Sequence, residues 1–174
     1  MSKIIGFPDE VNETSARVVA GGVVAMAGTA VVADQPWLML PLVYGFAARV
    51  AAGPRLSPLG QFATRVVTPR LGIVHKFSPG PPKRFAQAVG LALSSSALML
   101  HYKKGRPGAA KAALGVLVAA AGLEASLGVC LGCKMFALGM KLGLVPESTC
   151  RDCADIWARD RKQESSPEKQ LTFN

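Results

Sequence analysis

Four long stretches with almost no charge constrain this chain more than any other feature. Val18 to Ala33 holds sixteen residues without a charge. Pro36 to Gly53 follows, with Arg49 near its end and Pro41 inside. Phe85 to Tyr102 gives eighteen residues with no Asp, Glu, Lys or Arg, His101 being the one group there that can carry a charge near neutral pH. Between Lys111 and Lys134 lie 22 residues with one charge, Glu124. A helix rises about 1.5 Å per residue, so about 20 apolar residues cross a hydrocarbon core of about 30 Å. The runs predict an all-α, polytopic membrane protein with four transmembrane helices. The first two, joined by Asp34-Gln35, form a tight helical hairpin. Pro41 sits in a first turn or kinks its helix.

Composition agrees with this class. Of 174 residues, 50% are hydrophobic and 18% are charged, against roughly 25% charged in average soluble domains. The net charge of +9 suggests nucleic acid at first sight. Its basic residues, however, fall between apolar runs rather than on a solvated face, so the expected partner is the lipid bilayer and not nucleic acid. A soluble bundle would have too little polar surface for four such runs. Met1 to Arg17 is polar and acidic before the first apolar run, the wrong order for a secretory signal.

Basic residues in short loops stay on the cytosolic side. With both termini inside, only Lys103, Lys104, Arg106 and Lys111 of the twenty basic residues fall outside. Both termini are therefore expected in the cytosol, against the objection of the Lys103-Lys104 pair. In the central loop, Ser57-Pro58 reads as a cap and first helical position. Leu59, Phe62, Val66 and Val67 follow at helical spacing, and Pro69 is expected to stop that helix. This predicts a short helix in the membrane interface, apolar stripe down. Ser78 to Pro82 reads as a stiff turn into the third span. Residues 1–157 form the membrane domain, ending in a cytosolic cysteine-rich segment; 158–174 form a disordered tail.

All four cysteines lie in two C-x-x-C pairs, Cys130 with Cys133 and Cys150 with Cys153, separated by sixteen residues. Cys130 and Cys133 are expected at the cytosolic end of the fourth span, sharing a helix face at i, i+3. Cys150 and Cys153 follow a turn and cap signal and are expected at a helix N-terminus, where unpaired N–H groups lower a thiol's pKa. Two chemistries fit this pattern. Four thiolates can hold one structural zinc, and C-x2-C-x16-C-x2-C is a zinc-like spacing. Alternatively, one or both pairs cycle between dithiol and disulfide or carry a persulfide. Glu124 is an ionisable group within a span, which costs about 2.5–3.5 kcal/mol on insertion scales. It is expected to pair with Arg49 or Arg84, with carrying a proton as the alternative. Ser94-Ser95-Ser96 suits close helix packing or, beside Glu124, the polar lining of a transporter for a small sulfur species. The residues leave open whether the chain is an enzyme.

Several further segments together resemble one family. Phe7-Pro-Asp-Glu-Val-Asn-Glu, Tyr44-Gly-Phe-Ala-Ala-Arg49, Gly53-Pro-Arg-Leu-Ser-Pro-Leu-Gly60, Thr68-Pro-Arg-Leu71, Pro81-Pro-Lys-Arg-Phe-Ala-Gln87, Cys130-Leu-Gly-Cys-Lys134 and Glu147-Ser-Thr-Cys-Arg-Asp-Cys153 are similar to domain of unknown function 4395. The resemblance covers most of residues 5–157. It implies an integral membrane protein of the bacterial inner membrane, common in actinobacteria, associated with thioredoxin- or rhodanese-like cytosolic proteins. Gly128-Val-Cys130, Leu142-Gly-Leu and Thr149-Cys150 also resemble a membrane hairpin attached to some rhodaneses. Leu131 stands where that hairpin has proline, and each pair carries an extra cysteine.

The leading expectation is a membrane-embedded protein that handles thiol redox or sulfur through Cys130, Cys133, Cys150 and Cys153, with Glu124 in support. The alternatives are a non-enzymatic scaffold with a four-cysteine zinc site, and the transporter.

Overall fold

The computed structural model describes residues 10–71, 77–144 and 146. Cys150, Cys153 and the tail lie outside the described residues. The chain is mostly helical, in the order β1 (Glu10–Asn12), α1 (Glu13–Val32), α2 (Met39–Ala52), α3 (Pro58–Phe62), α4 (Thr68–Leu71), β2 (Phe77–Pro79), α5 (Gly80–Tyr102), α6 (Pro107–Leu127) and α7 (Leu131–Lys141). Two of these helices, α1 with 20 residues and α6 with 21, are long and apolar enough to cross a membrane.

The four long helices run alternately up and down. α1 packs most extensively on α6, and α5 on both α2 and α6. Sequence neighbours α1 and α2 share far less surface. The hairpin at Asp34-Gln35 is therefore a connection, not the main packing unit. Small residues line the contacts: Ala27, Ala30, Ala97 and Ala110 are buried beside Met39, Leu42 and Leu114. Short side chains let the helix backbones approach closely. Ser94 is wholly buried there and donates to the Leu91 carbonyl.

Local signals explain most boundaries. Asn12 caps α1, its Oδ1 accepting from the Thr14 and Ser15 N–H groups. Ser15 bonds Thr68 Oγ1 at 2.8 Å and ties α1 to α4. Pro41 lies in the first turn of α2, where its missing N–H costs nothing. Ser57 caps α3 as expected, accepting from the Gly60 N–H. Pro69 does not stop that segment. A π-helical turn, Ala63–Val67, widens the backbone, and α4 continues through Pro69. One added residue in that turn relieves the clash between the proline ring and the preceding turn.

Two departures from the sequence reading matter for function. A two-stranded antiparallel ribbon pairs Glu10 with Pro79 and Asn12 with Phe77, and the Ser78 hydroxyl donates to Glu13. The ribbon tethers the start of α1 to the start of α5. The stiff turn is shorter than expected, because Pro81 and Pro82 fall in the first turn of α5. Lys83 and Arg84 therefore belong to the helix.

Candidate functional site

Polar groups gather at one end of the bundle, where α1 and α5 begin and α2 and α6 end. Gly128 ends α6 in the left-handed conformation, φ 70°. Its N–H reaches the Glu124 carbonyl, and that of Val129 reaches Leu123. This is the common glycine-terminated helix end. Arg17, on α1, supplies further donors to the last turn of α6, Nη2 to Ser126 O at 2.6 Å and Nε to Ala125 O at 3.2 Å.

Two residues later a new helix starts. Cys130 is the N-cap of α7, and its Sγ accepts the Cys133 N–H at 3.4 Å. The first pair thus sits at a helix N-terminus rather than on the end of the fourth span. A glycine C-cap had separated the two helices, and Gly128 was the sequence signal for it. Cys133 Sγ–H donates to Cys130 Sγ at 2.8 Å. That bond lowers the Cys130 pKa, and nearby Lys83 lowers it further, while burial and Glu124 act against them. The same bond, with burial, raises the Cys133 pKa. Of the two thiols, Cys130 is therefore the one that ionises more readily. Both thiols are free and half-buried.

Glu124 pairs with Lys83, Nζ to Oε1 at 2.5 Å, not with Arg49 or Arg84. The pair is buried, with side chains 8% and 15% exposed. The reason is the early start of α5, which carries Lys83 onto the face turned to α6. Arg84 instead donates to the Val50 carbonyl. Arg49 donates from Nε to Gln87 Oε1 at 2.8 Å and from Nη1 to Ser57 Oγ at 3.2 Å, with its guanidinium 4.5 Å from the Phe46 ring centre.

α7 is pressed onto α5. A Cβ on Gly132 would lie 2.5 Å from Ala86 Cβ, and the Phe85 and Phe136 rings meet at 5.8 Å. Between α7 and the long helices lies a cavity of about 180 Å³. Arg49, Gln87, Glu124 and Cys130 face it among mainly apolar neighbours. The structure therefore brings Cys130, Cys133 and Glu124 together and adds Lys83, Arg49 and Gln87. Ser94 to Ser96 are not part of the cavity wall.

Among the described residues, no group of three or more His, Cys, Asp or Glu is arranged around a metal position. The four-cysteine zinc reading needs Cys150 and Cys153, which lie outside the described residues.

Fold and site together define a mostly helical bundle with two membrane-length apolar helices and a dithiol beside a buried ion pair. Residues 11–141 match the model of a family described as a domain of unknown function (DUF4395), and the chain belongs to that family. Cys130 and Cys133 fall inside the matched region; Cys150 and Cys153 fall beyond it. No curated protein and no solved structure matches the chain.

Proposed function

We propose that this protein is a four-span thiol-redox protein of the bacterial inner membrane, exchanging electrons with a soluble thioredoxin- or rhodanese-like partner at the cytosolic face. α1, α2, α5 and α6 are the spans in this reading. The Cys133-to-Cys130 hydrogen bond at the start of α7 carries it. One thiol is held as a nucleophile and the other keeps a proton 2.8 Å away, the arrangement that thiol–disulfide exchange uses.

The chemistry runs through a mixed disulfide. In the reducing direction, the Cys130 thiolate attacks one sulfur of a partner disulfide and the partner's other sulfur leaves as thiolate. Cys133 then gives up its proton and attacks Cys130 Sγ. The partner departs as a dithiol, and a Cys130–Cys133 disulfide remains. The opposite direction reverses each step. Lys83 offsets charge at Cys130, and Glu124 holds Lys83 in place.

Trapping tests this reading. Cys133→Ala cannot resolve the mixed disulfide, so a Cys130-linked adduct with a thioredoxin-fold protein is expected on non-reducing gels. Cys130→Ala should form none through Cys133. Equal adduct from both variants, or none from either, would overturn the assignment. An impermeant maleimide should label Cys130 in inverted membrane vesicles and not in intact cells.

A further inference from the structure

The cavity beside Cys130 is not needed for exchange with a soluble protein, and its position is informative. It runs inward from Cys130 and Glu124 at the end of the bundle to Phe46, Gly90 and Leu117. Its sides include Val116, Leu131 and Met135. All three are exposed, Val116 58% and Met135 56%. Val116 is eleven residues before the end of α6, roughly 16 Å along the helix axis. α6 is one of the two membrane-length helices. If α6 crosses the bilayer, an opening flanked by Val116 faces hydrocarbon rather than water. A ligand entering there arrives dissolved in lipid.

The size and lining restrict it further. An engineered apolar cavity of about 150 Å³ binds benzene, so about 180 Å³ here accommodates one substituted six-membered ring. The walls are apolar except for Arg49, Gln87, Glu124 and Cys130. Arg49 and Gln87 are hydrogen-bond donors suited to a carbonyl oxygen. A small apolar ring bearing carbonyls, delivered by lipid and seated beside a dithiol, is a quinone.

We propose that this cavity binds the ring of a membrane quinone, which takes two electrons from the Cys130–Cys133 dithiol. The proposal rests on the thiol-redox reading and names the acceptor for it. The Cys130 thiolate adds to the quinone ring; the Cys133 sulfur then attacks Cys130 Sγ, and the carbon–sulfur bond breaks with its electron pair passing to the ring, which leaves as the hydroquinone while the disulfide closes. Cys130–S⁻, Cys133–SH, the quinone and one proton become the disulfide and a hydroquinone. One of the two protons on the hydroquinone comes from Cys133. The other enters from water by way of Lys83 and Glu124, the latter of which reaches the cavity wall. A soluble dithiol then reduces the disulfide again, and electrons pass from the cytosolic thiol to the membrane pool.

The test uses reduced full-length protein in detergent micelles under anaerobic conditions. One oxidant is decyl-ubiquinone, whose ring carries no hydrogen, so an added thiolate cannot rearomatise to a stable thioether and the adduct stays open to attack by Cys133; the other is a water-soluble disulfide, cystamine. Ultraviolet loss of quinone should match formation of the Cys130–Cys133 disulfide, one for one, by mass spectrometry. Ala120 lines the cavity, and filling that space with Ala120→Trp should lower the ratio of the quinone rate to the cystamine rate about tenfold or more, since overpacking excludes the ring. Arg49→Lys, a milder change, should raise the quinone concentration needed for half-maximal rate. Oxidation by cystamine but not by quinone overturns the cavity assignment and leaves the thiol-redox reading standing. Failure of both oxidants removes both.

Discussion

The two ends of the bundle each carry a lysine–carboxylate pair between neighbouring helices, and the pairs serve different purposes. At the turn end, Lys111 on α6 meets Asp34 after α1 at 3.0 Å, with side chains 38% and 70% exposed. At the thiol end, Lys83 on α5 meets Glu124 on α6 at 2.5 Å, with both largely shielded from solvent. Exposed pairs contribute about 0–1 kcal/mol. Buried pairs gain little over apolar packing, yet breaking one strands a charge and costs about 3–5 kcal/mol. The buried pair stands beside a dithiol and the exposed one beside nothing reactive. The charges kept inside the bundle are the ones that bear on the Cys130 thiol, Lys83 lowering its pKa and Glu124 opposing it.

The largest effect expected is from Lys83→Met, which leaves Glu124 without its cation and should lower unfolding stability in mild detergent by about 3–5 kcal/mol. A loss below about 1 kcal/mol would place the two pairs in the same class. Glycines extend the comparison. Gly132→Val at the thiol end puts a branched side chain against Ala86 and should cost about 1–3 kcal/mol. Gly108→Ala, near the turn end, meets no neighbouring atom within 4 Å. It should be neutral or gain up to about 1 kcal/mol by calorimetry.

A pH profile is a sharper probe of the thiol end. Alkylation of Cys130 requires the thiolate, so its rate climbs with pH through the thiol's pKa. The midpoint should lie below that of an ordinary thiol, given the hydrogen bond from Cys133 and the nearby Lys83. Cys133→Ala and Lys83→Met should each move it up, and Glu124→Gln should move it down. Shifts of the same sign from Lys83→Met and Glu124→Gln would show that charge at the pair does not reach Cys130. The smallest effect is reserved for Lys111→Met, which should change stability by no more than about 1 kcal/mol and leave the Cys130 midpoint alone.

Much of the architecture was legible in the residues. The absence of charge marked α1 and α6, and Ser57-Pro58 marked the start of α3. The family was equally visible, and the match over residues 11–141 confirms it, with the segments at 7–10 and 147–153 lying outside that match. What failed did so for identifiable reasons. Counting from the first uncharged residue put the third span at Phe85, whereas Pro81-Pro82 is itself a helix-start signal. Reading it so would have placed Lys83 inside α5. The positive φ of Gly128 makes it a helix terminator, and that moves Cys130 and Cys133 onto a new helix. The ribbon between residues 10–12 and 77–79 had no local signature, because each strand is three residues long.

Hydropathy and spacing act along the chain, so the sequence alone determined which segments become long helices and that two cysteines stand three positions apart. Partnership across the bundle depends on how each helix is rotated and which neighbour it packs against. Lys83 and Glu124 are 41 residues apart, and no periodic pattern links them. Only the tertiary structure decided that this pair, rather than Arg49 or Arg84, answers Glu124, and that Cys130 shares a cavity with Glu124, Gln87 and Arg49. Electrostatic and steric contacts act through space over a few ångströms, and the fold alone sets those distances.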